Sequence, residues 1–291
     1  MNYAFLILHY QNVELTRSCV ESILSNPSSS KPFILIVDNA SPNGSGVCLK
    51  QDYANNQQVE VLLNKKNLGF AKGNNVGLRY LNETYSPEFI VMLNNDVEII
   101  STDFCQAIKD EYVRSEFAVL GPRIILLGDK QDLYGFEPAP ISSLVKSLVS
   151  LSAKRVLCVV GAERIIRKIE AQNDADTASQ SGLIKRKLTY QRDVVLNGCC
   201  LVFSKKYFNE YSGIDDRTTM YKEEQLLYLR IKKKELRSIY NPELVVFHNA
   251  SSSERLSGEE YLSKKKRFYK YQTQSTMVLL NSIVFGERER R

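Results

Sequence analysis

The first third of the chain alternates short apolar runs with amphipathic segments. Apolar runs of strand length lie at residues 3–8, 33–37, 59–63, 89–93 and 118–120. Segments with helical spacing separate them, following residue 12 and at residues 47–55, 73–81 and 102–114. Continuous apolar strands between amphipathic helices are typical of a parallel sheet covered on both faces. The pattern therefore predicts an α/β fold, Rossmann-like, with a mostly parallel central sheet, flanking helices and right-handed crossovers.

This alternation changes after about residue 128. The sequence predicts a loop at residues 129–140, helical spacing with alternating apolar and basic residues at 141–170, and a polar stretch at 171–181. Later periodicity predicts strands at 194–203 and 244–247, and helices at 221–234 and from 258 onward. We therefore divide the chain into two halves of one domain and a helical extension, with boundaries at residues 1–127, 128–256 and 257–291.

Composition indicates a globular protein with a mild basic excess. The 291 residues are 43% hydrophobic and 25% charged, with a formal net charge of +6. These values permit a sizeable core and do not indicate a dedicated nucleic-acid binder. Basic runs at residues 232–234, 264–267 and 288–291 suit either solvated helix faces or an anionic partner, such as a sugar nucleotide or a membrane surface.

Cysteine and histidine spacing supports neither a zinc site nor a disulfide framework. The chain has six cysteines without a Cys-x-x-Cys pair, and its two histidines lie far apart in sequence. Cys19 and Cys105 fall on apolar helical positions, which predicts buried thiols. We expect a cytoplasmic protein without a signal peptide or spanning helix. The basic and apolar stretch 145–168 predicts either a helix packed on the sheet, the favoured interpretation, or peripheral contact with the inner face of the plasma membrane.

Polar residues follow two of the predicted strands. Asp38 ends the run 33–37, and Asn94, Asn95 and Asp96 end the run 89–93. Ligands of open α/β sheets bind outside the carboxyl ends of strands. A carboxylate there can hold a divalent cation that in turn binds a diphosphate. The alternative at each position is a turn in which the side chain bonds its own backbone.

A glycine-rich stretch at residues 67–77 predicts a phosphate cradle at the start of a helix. Glycine lets the backbone approach a ligand closely, and a helix N-terminus attracts negative charge. The stretch matches neither the P-loop pattern nor Gly-x-Gly-x-x-Gly, so an ordinary turn remains an alternative.

Two acidic residues and one histidine complete the candidate chemistry. Glu223 and Glu224 open a predicted helix, where a carboxylate can act as a general base or simply suit the helix dipole. His248 ends the run 244–247, a position that suits a metal or phosphate ligand as well as a structural histidine.

The order of these motifs resembles the family 2 glycosyltransferases of the GT-A fold. It is most similar to their rhamnosyltransferase-like branch, which builds bacterial surface polysaccharides. The resemblance covers Tyr3 to about Ser253 and is carried by residues 37–41, 67–77, 93–97, 197–198, 213–215 and 221–224, and by Arg230, Pro242 and His248.

This resemblance implies an inverting, metal-dependent hexosyltransferase. The donor would be a nucleoside-diphosphate sugar, either dTDP-rhamnose or a UDP-sugar, and the acceptor a hydroxyl of a growing cell-surface polysaccharide, expected to be lipid-linked. Residues 1–127 would be the nucleotide-sugar-binding half and residues 128–256 the acceptor-binding and catalytic half. No nucleic-acid partner is implied.

The resemblance also implies roles for individual residues. Glu224 would be the catalytic base, with Glu223 as the other candidate. Asp96 and His248 would lie at a Mg²⁺ or Mn²⁺ site. The expected nucleotide-sugar ligands are Tyr10, Asp38, Asn67, Gly69, Phe70, Gly73, Asn74 and Asn95.

Two departures from the family pattern keep other functions open. Asn94 stands where the Asp-x-Asp motif has its first acid, and Glu223-Glu224 replaces the commoner Glu-Asp. A nucleotidyltransferase would share the sheet and the metal-bound nucleotide. A sugar-nucleotide-binding protein without catalysis would explain both departures.

Overall fold

A computed structural model describes residues 2–27, 31–126, 135–170, 189–249 and 261–286. Over these ranges nine strands form one mixed sheet. The strands are β1 Tyr3–His9, β2 Phe33–Asp38, β3 Val59–Leu63, β4 Phe89–Asn94, β5 Val97–Ile99, β6 Val119–Leu126, β7 Gln191–Arg192, β8 Cys200–Ser204 and β9 Ser238–His248. Parts of the predicted loop at 129–140, the polar stretch 171–181 and the basic tail lie outside the described residues.

Helices lie between these strands and at the end of the chain. They are α1 Val13–Leu24, α2 Ser45–Asp52, α3 Phe70–Thr84, α4 Phe104–Ser115, α5 Ile141–Val159, α6 at residues 163–170, α7 Lys205–Phe208, α8 Glu223–Lys233 and α9 Tyr261–Phe285. Among the described helices, none combines the length and the apolarity needed to cross a bilayer.

The strand directions bring the tips of four strands to one edge of the sheet. The strand order is β3-β2-β1-β4-β8-β6-β9-β5, and β7 pairs with β9. The pairings β1–β2, β1–β4, β2–β3 and β6–β9 are parallel. Since β8 runs antiparallel to both β4 and β6, the strands β4, β6 and β9 point the same way. We call the edge where β1, β2, β4 and β9 end, and where β8 begins, the carboxyl edge. The predicted α/β class with a mostly parallel sheet is confirmed.

Two hydrophobic layers cover the sheet because successive strand residues point to opposite faces. Ile7 and Val91 pack with α1, α2 and α4 on one face. Leu6 and Met92 pack with α3, α7 and α8 on the other. The predicted burial of Cys19 and Cys105 is confirmed, since both lie in the first layer.

Several local predictions are confirmed and others are wrong. The helix predicted after residue 12 is confirmed, and Asn12 caps it, because its Oδ1 accepts a hydrogen bond from Leu15 N at 3.2 Å. The predicted strand 194–203 is wrong over its first half. Asn197 accepts a bond from Cys199 N at 3.1 Å, which turns the chain so that the strand begins only at Cys200. The short strands β5 and β7 were not predicted.

The C-terminal helices form a separate layer beyond α8. The helical pattern predicted at residues 141–170 is interrupted at Gly161, whose φ of 75° lies in the left-handed region. The packing of this region differs from the prediction that it covers the sheet. Leu144 of α5 packs with Leu279 of α9, and Cys158 packs with Tyr269. Helix α9 thus covers the inner face of α5, and the opposite face of α5 stays exposed.

Candidate active site

A buried histidine organises the carboxyl edge at the end of β1. His9 is fully buried, its Nδ1 lies 2.7 Å from Thr16 Oγ1, and its Nε2 lies 2.8 Å from Ser45 Oγ. Burial lowers the pKa of His9 to about 4, against the opposing charge of Asp38. The neutral imidazole therefore ties β1 to both α1 and α2. Sequence reasoning missed this residue, because nothing local indicates that hydroxyls from two later helices meet it.

Asp38, a predicted nucleotide ligand, is engaged in a turn at the end of β2. Its Oδ1 accepts bonds from the hydroxyl of Ser41 at 2.5 Å and from the amide of Ser41 at 3.2 Å. Only 5% of Asp38 is exposed, and a Cβ at Gly46 would lie 2.3 Å from its Cγ. This geometry matches the turn alternative, and a contact of Asp38 with the donor stays a prediction.

The next residue, Asn39, joins the β2 tip to the glycine-rich loop. Its Nδ2 donates to Asn67 Oδ1 and to Gly69 O, both at 3.1 Å. Its Oδ1 accepts from Leu68 N at 2.9 Å and from Asn64 Nδ2 at 3.3 Å. Four bonds from one buried side chain fix the loop that leads into α3. Asn39 was not among the predicted ligands, although it follows Asp38 directly.

The glycine-rich loop ends at Gly69, where α3 begins. Gly69 has a φ of 78°, and a Cβ there would lie 2.8 Å from the carbonyl oxygen of Thr219. The amide of Phe70 donates to that same carbonyl at 3.4 Å. Gly73 packs below Asn39, where a Cβ would lie 3.2 Å from Nδ2. The start of α3 is therefore held against the segment that precedes α8.

Asn74 and Asn75 of α3 point into the protein. Asn74 Nδ2 donates to Phe70 O at 3.1 Å, whereas its buried Oδ1 has no hydrogen-bond partner within the described ranges. Asn75 makes two bonds of 2.8 Å to the backbone of Ile214, one as donor and one as acceptor. Asn75 thus links residues 139 positions apart in sequence and joins the first half of the sheet to the segment 213–222.

We call residues 213–222 the base segment because they lead directly into Glu223 and Glu224. Asp215 is buried and pairs with Arg217 at 2.5 Å and with Arg230 at 3.7 Å. Burial alone would raise the pKa of Asp215, but the hydrogen bond from Arg217 and the charge of Arg230 outweigh it and lower the pKa. Asp215 is therefore held ionised and anchors the segment.

The two glutamates at the start of α8 have different surroundings. Glu223 is buried, and its Oε1 accepts a bond from Thr218 Oγ1 at 3.0 Å. Burial, together with the charge of Glu224, raises the pKa of Glu223 to about 7. Glu224 is partly exposed and lies against Gly198, where a Cβ would be 3.1 Å from its Oε1. Glu224 is therefore the more accessible of the two carboxylates, whereas Glu223 is held inside the protein.

Asp96 and His248, predicted to share a metal site, lie side by side. The register pairs Val97 of β5 with His248 at the end of β9, which places Asp96 next to the imidazole. Asp96 Oδ1 lies 3.1 Å from His248 Nε2, and the amide of Asn249 donates to Asp96 O at 2.9 Å. The buried Nδ1 of His248 has no hydrogen-bond partner among the residues that the structure describes.

These residues fit a divalent cation whose remaining ligands come from the substrate. In the parts of the chain that the structure describes, no group of three His, Cys, Asp or Glu side chains could hold a metal ion. Mg²⁺ and Mn²⁺ prefer oxygen ligands, and Mg²⁺ is commonly held by one or two carboxylates together with phosphate oxygens and water. Asp96 supplies such a carboxylate, and His248, whose Nε2 lies 3.1 Å from it, is the second candidate ligand.

Cys199 lies between the metal candidate and the base candidate. Its carbonyl accepts a bond from Asn94 N at 2.9 Å, one step from the Asn95–Asp96 turn. Burial raises the pKa of the Cys199 thiol, and the neighbouring Cys200, Asp96 and Glu224 raise it further. Cys199 directly follows Gly198, where a Cβ would lie 3.1 Å from Glu224 Oε1, so one short segment contacts both the strand tip before Asp96 and the side chain of Glu224.

The remaining predicted residues lie on the β1 and β4 side of this edge. Asn95 Nδ2 donates to Thr16 Oγ1 at 3.1 Å and so joins the hydrogen bonds of His9. Tyr10 directly follows β1 and is 39% exposed. The structure therefore brings Asp96, His248, Asn95 and Glu224 to one edge and leaves Tyr10 open to solvent, whereas Asn74 is turned inward.

Comparisons with known proteins bear on the family and the fold. The model of glycosyl transferase family 2 matches residues 5–152. No curated protein sequence matches the chain. Among solved structures, GalNAc-T7 with UDP, GalNAc and Mn²⁺ has a TM-score of 0.56 and 10% identity, and the alignment covers 86% of this chain and 44% of that one.

A second similar structure is S. aureus TarS 1–349 in complex with UDP-GlcNAc. It has a TM-score of 0.53 and 10% identity, and the alignment covers 98% of this chain and 72% of that one. At such identities the likeness shows the GT-A fold alone. The chain spans less than half the length of the GalNAc-T7 chain.

Proposed function

Since the chain belongs to glycosyl transferase family 2, we propose that it moves a sugar from a nucleoside diphosphate to an acceptor hydroxyl with inversion at the anomeric carbon. The observation that carries this proposal is the grouping of Asp96, His248 and Glu224 at the carboxyl edge. The pair Asp96–His248 suits the diphosphate end of a donor, and Glu224 lies beyond Gly198 and Cys199 on the same edge.

A nucleoside-diphosphate donor fits the β1, β2 and α3 side of the edge. The backbone at Gly69 and Phe70 opens α3, and its N-terminus favours a negatively charged ligand. Similar structures bind UDP and UDP-GlcNAc, which supports a UDP-sugar as the first donor to test. The resemblance to the rhamnosyltransferase-like branch makes dTDP-rhamnose the second.

Donor activation belongs to the Asp96 side of the edge. A divalent cation, Mg²⁺ or Mn²⁺, held at Asp96 would neutralise the charge of the leaving diphosphate. His248 lies with Nε2 3.1 Å from Asp96 Oδ1, where a hydrogen bond from the imidazole orients the carboxylate. Asn95, held by Thr16, fixes the turn that presents Asp96.

Acceptor activation belongs to Glu224. Its carboxylate accepts the proton of the acceptor hydroxyl while the acceptor oxygen forms a bond to the anomeric carbon. The bond from that carbon to the diphosphate oxygen breaks, and its electron pair leaves with the nucleoside diphosphate. Attack opposite the leaving group inverts the configuration. We propose as acceptor a growing cell-surface polysaccharide on a lipid carrier.

Product analysis with purified protein tests this proposal. The chain is incubated with UDP-GlcNAc, UDP-glucose and dTDP-rhamnose, each with Mn²⁺ and each with EDTA, and the nucleotide products are separated. Release of UDP or dTDP that requires the cation supports glycosyl transfer. Release of pyrophosphate in a parallel incubation with UTP or dTTP and a sugar 1-phosphate would instead identify a nucleotidyltransferase.

A thermal-shift screen separates catalysis from binding alone. A ligand that binds only the folded state raises the melting temperature. A donor that raises it in a manganese-dependent way, with turnover lost in Asp96→Ala, supports the proposed site. Saturable binding without turnover for any donor and any glycan acceptor would show a non-catalytic binding protein and overturn the proposal.

A further inference from the structure

Helix α5 carries an exposed apolar stripe on the face that turns away from α9. The stripe consists of Val145, Val149, Val156 and Val160, with spacings of four, seven and four residues that place them on one side of the helix. Val149 is 66% exposed, Val156 61% and Val160 69%. Isolated exposed valines are ordinary, but four in line form a surface that a partner can cover.

The inner face of α5 is already occupied, so the stripe belongs to the folded protein. Leu144 packs with Leu226 of α8 and Leu279 of α9. Cys158 packs with Ile166 and Tyr269. A rotation of α5 that buried the valines would expose Leu144 instead and uncover its partners Leu226 and Leu279.

Charge indicates what covers the stripe. Residues 141–168 contain six basic residues and one acidic residue, Glu163. Lys146 and Arg155 lie on α5 itself and are exposed, and Arg164 and Lys168 are exposed on α6. Glu163 is paired with Arg167 at 2.6 Å. Pairing of two such faces in a dimer would bring like charges together, whereas an anionic surface attracts them.

We propose that α5 and α6 dock this face on the surface of an anionic lipid bilayer. The valines would enter the boundary between headgroups and acyl chains, and the basic residues would contact the headgroups. The docking face is tied to the base segment, because α9 carries α5 and donates a hydrogen bond from Ser275 Oγ to Met220 O at 2.7 Å. A bound bilayer would therefore lie next to the half of the molecule that carries Glu224.

Vesicle co-sedimentation without any sugar donor tests this inference, so its outcome does not depend on the proposed transfer reaction. The full chain is mixed with vesicles of phosphatidylcholine or of equimolar phosphatidylcholine and phosphatidylglycerol, at low and at physiological salt. We expect binding to the phosphatidylglycerol vesicles that weakens as salt screens the charges. The double variant Val149→Glu/Val156→Glu should bind at least about tenfold more weakly.

The matched control is Val113→Glu on α4. Val113 is 77% exposed and its helix packs on the opposite face of the sheet, so this variant should bind as the wild type does. A second variant, Lys146→Gln/Arg155→Gln, keeps the valines and should lose about tenfold of the preference for phosphatidylglycerol. This variant tests the inference even where the glutamate pair disturbs folding.

Three outcomes would overturn the inference. The first is that the wild type leaves the phosphatidylglycerol vesicles unbound at low salt. The second is that Val113→Glu weakens binding as much as the glutamate pair does. The third is that sedimentation velocity shows a dimer that Val149→Glu/Val156→Glu dissociates while vesicle binding is absent, since the stripe would then join two copies of the chain.

Discussion

The two sides of the carboxyl edge are held in place by different kinds of interaction. On the donor side, the neutral side chains of His9, Asn39 and Asn95 fix the loops through hydrogen bonds. On the base side, the ionised group Asp215 anchors the segment through two arginines. Hydrogen bonds between neutral side chains add no net charge where an anionic donor would lie. The ion pairs of Asp215 fix the base segment, which contains no strand. This contrast between neutral and ionic interactions predicts different responses to substitution.

The largest expected effect is on the base side, where Glu224→Gln should remove most activity. The amide keeps the shape but cannot accept a proton, so kcat should fall by about a thousandfold. The melting temperature should stay near that of the wild type, because Glu224 is partly exposed. Initial rates at saturating donor measure the first quantity and calorimetry the second.

Glu223→Gln is the paired variant that sharpens this assignment. Its buried side chain supports the segment, so we expect a smaller loss of kcat than for Glu224→Gln. Full activity of Glu224→Gln together with an inactive, folded Glu223→Gln would exchange the two roles.

The second prediction concerns pH and the buried carboxyl of Glu223. Burial raises its pKa from 4.5 to about 7, so between these values the folded state keeps a proton that the unfolded chain has lost. Its contribution to stability is therefore complete below pH 4.5 and is lost as the pH rises through 7. The side chain of Glu223→Gln stays neutral at every pH. At high pH the unfolding free energy of this variant should therefore exceed that of the wild type by up to about 3 kcal/mol.

Urea denaturation of both proteins at pH 5 and pH 8 measures this gain. His9 titrates in the opposite sense, because its lowered pKa costs stability as the pH falls from 6.5 toward 4. That contribution is present in both proteins and cancels in their difference. A difference in unfolding free energy that is the same at both pH values would contradict the assigned shift.

The third prediction concerns the donor side of the carboxyl edge. Asn39→Ala leaves the amide of Leu68 without its acceptor and removes the three other bonds of the Asn39 side chain, which should cost about 2 kcal/mol of unfolding free energy. The loop before α3 should loosen, so KM for the donor should rise more than kcat falls. Denaturant midpoints and donor titrations measure both effects.

Asn43→Ala is the matched control in the same β2–α2 connection. Asn43 is exposed and bonds Gln11 O at 2.8 Å, so its loss should change stability by less than about 1 kcal/mol. Equal effects of the two variants would show that Asn39 has no special part in holding the donor loop.

The difference between the two sides also explains what could be predicted from the sequence. The strands β1 to β4 and their helices were predictable because each has its own local apolar pattern. The position of Asp96 at a strand tip followed from the same pattern. Its contact with His248 had been expected only through the family resemblance, since it depends on the register of β5 with β9, and β5 is three residues long.

Other parts of the site had no local signal at all. Asn75 meets Ile214 across 139 residues, and Ser45 and Thr16 meet at His9 from two different helices. Such contacts depend on how the helices pack on the sheet. Sequence periodicity gives the face of a helix that is buried but not which polar side chain will lie opposite.

The smallest expected effect tests how firmly the C-terminal helix holds the base side. Ser275→Ala removes the hydroxyl that donates to Met220 O, at a cost of about 1 kcal/mol. Two other contacts remain between α9 and the segment, namely the bond from Arg217 to Ser282 Oγ at 2.9 Å and the ring contact of Tyr221 with Phe268. We therefore expect kcat to fall by only about twofold.

Ser263→Ala on the exposed side of α9 controls for the loss of a serine in this helix and should leave both quantities unchanged. If Ser275→Ala lowers kcat as strongly as Glu224→Gln, the single hydroxyl rather than the ionic anchor at Asp215 sets the position of Glu224. If it lowers neither kcat nor stability relative to Ser263→Ala, this hydroxyl does not position the base segment, which is then held by the arginines at Asp215, the bonds of Asn75 and the other two contacts of α9. A loss of kcat between these limits would show that both ionic and neutral contacts position the base segment, whereas the loops of the donor side are held by neutral hydrogen bonds.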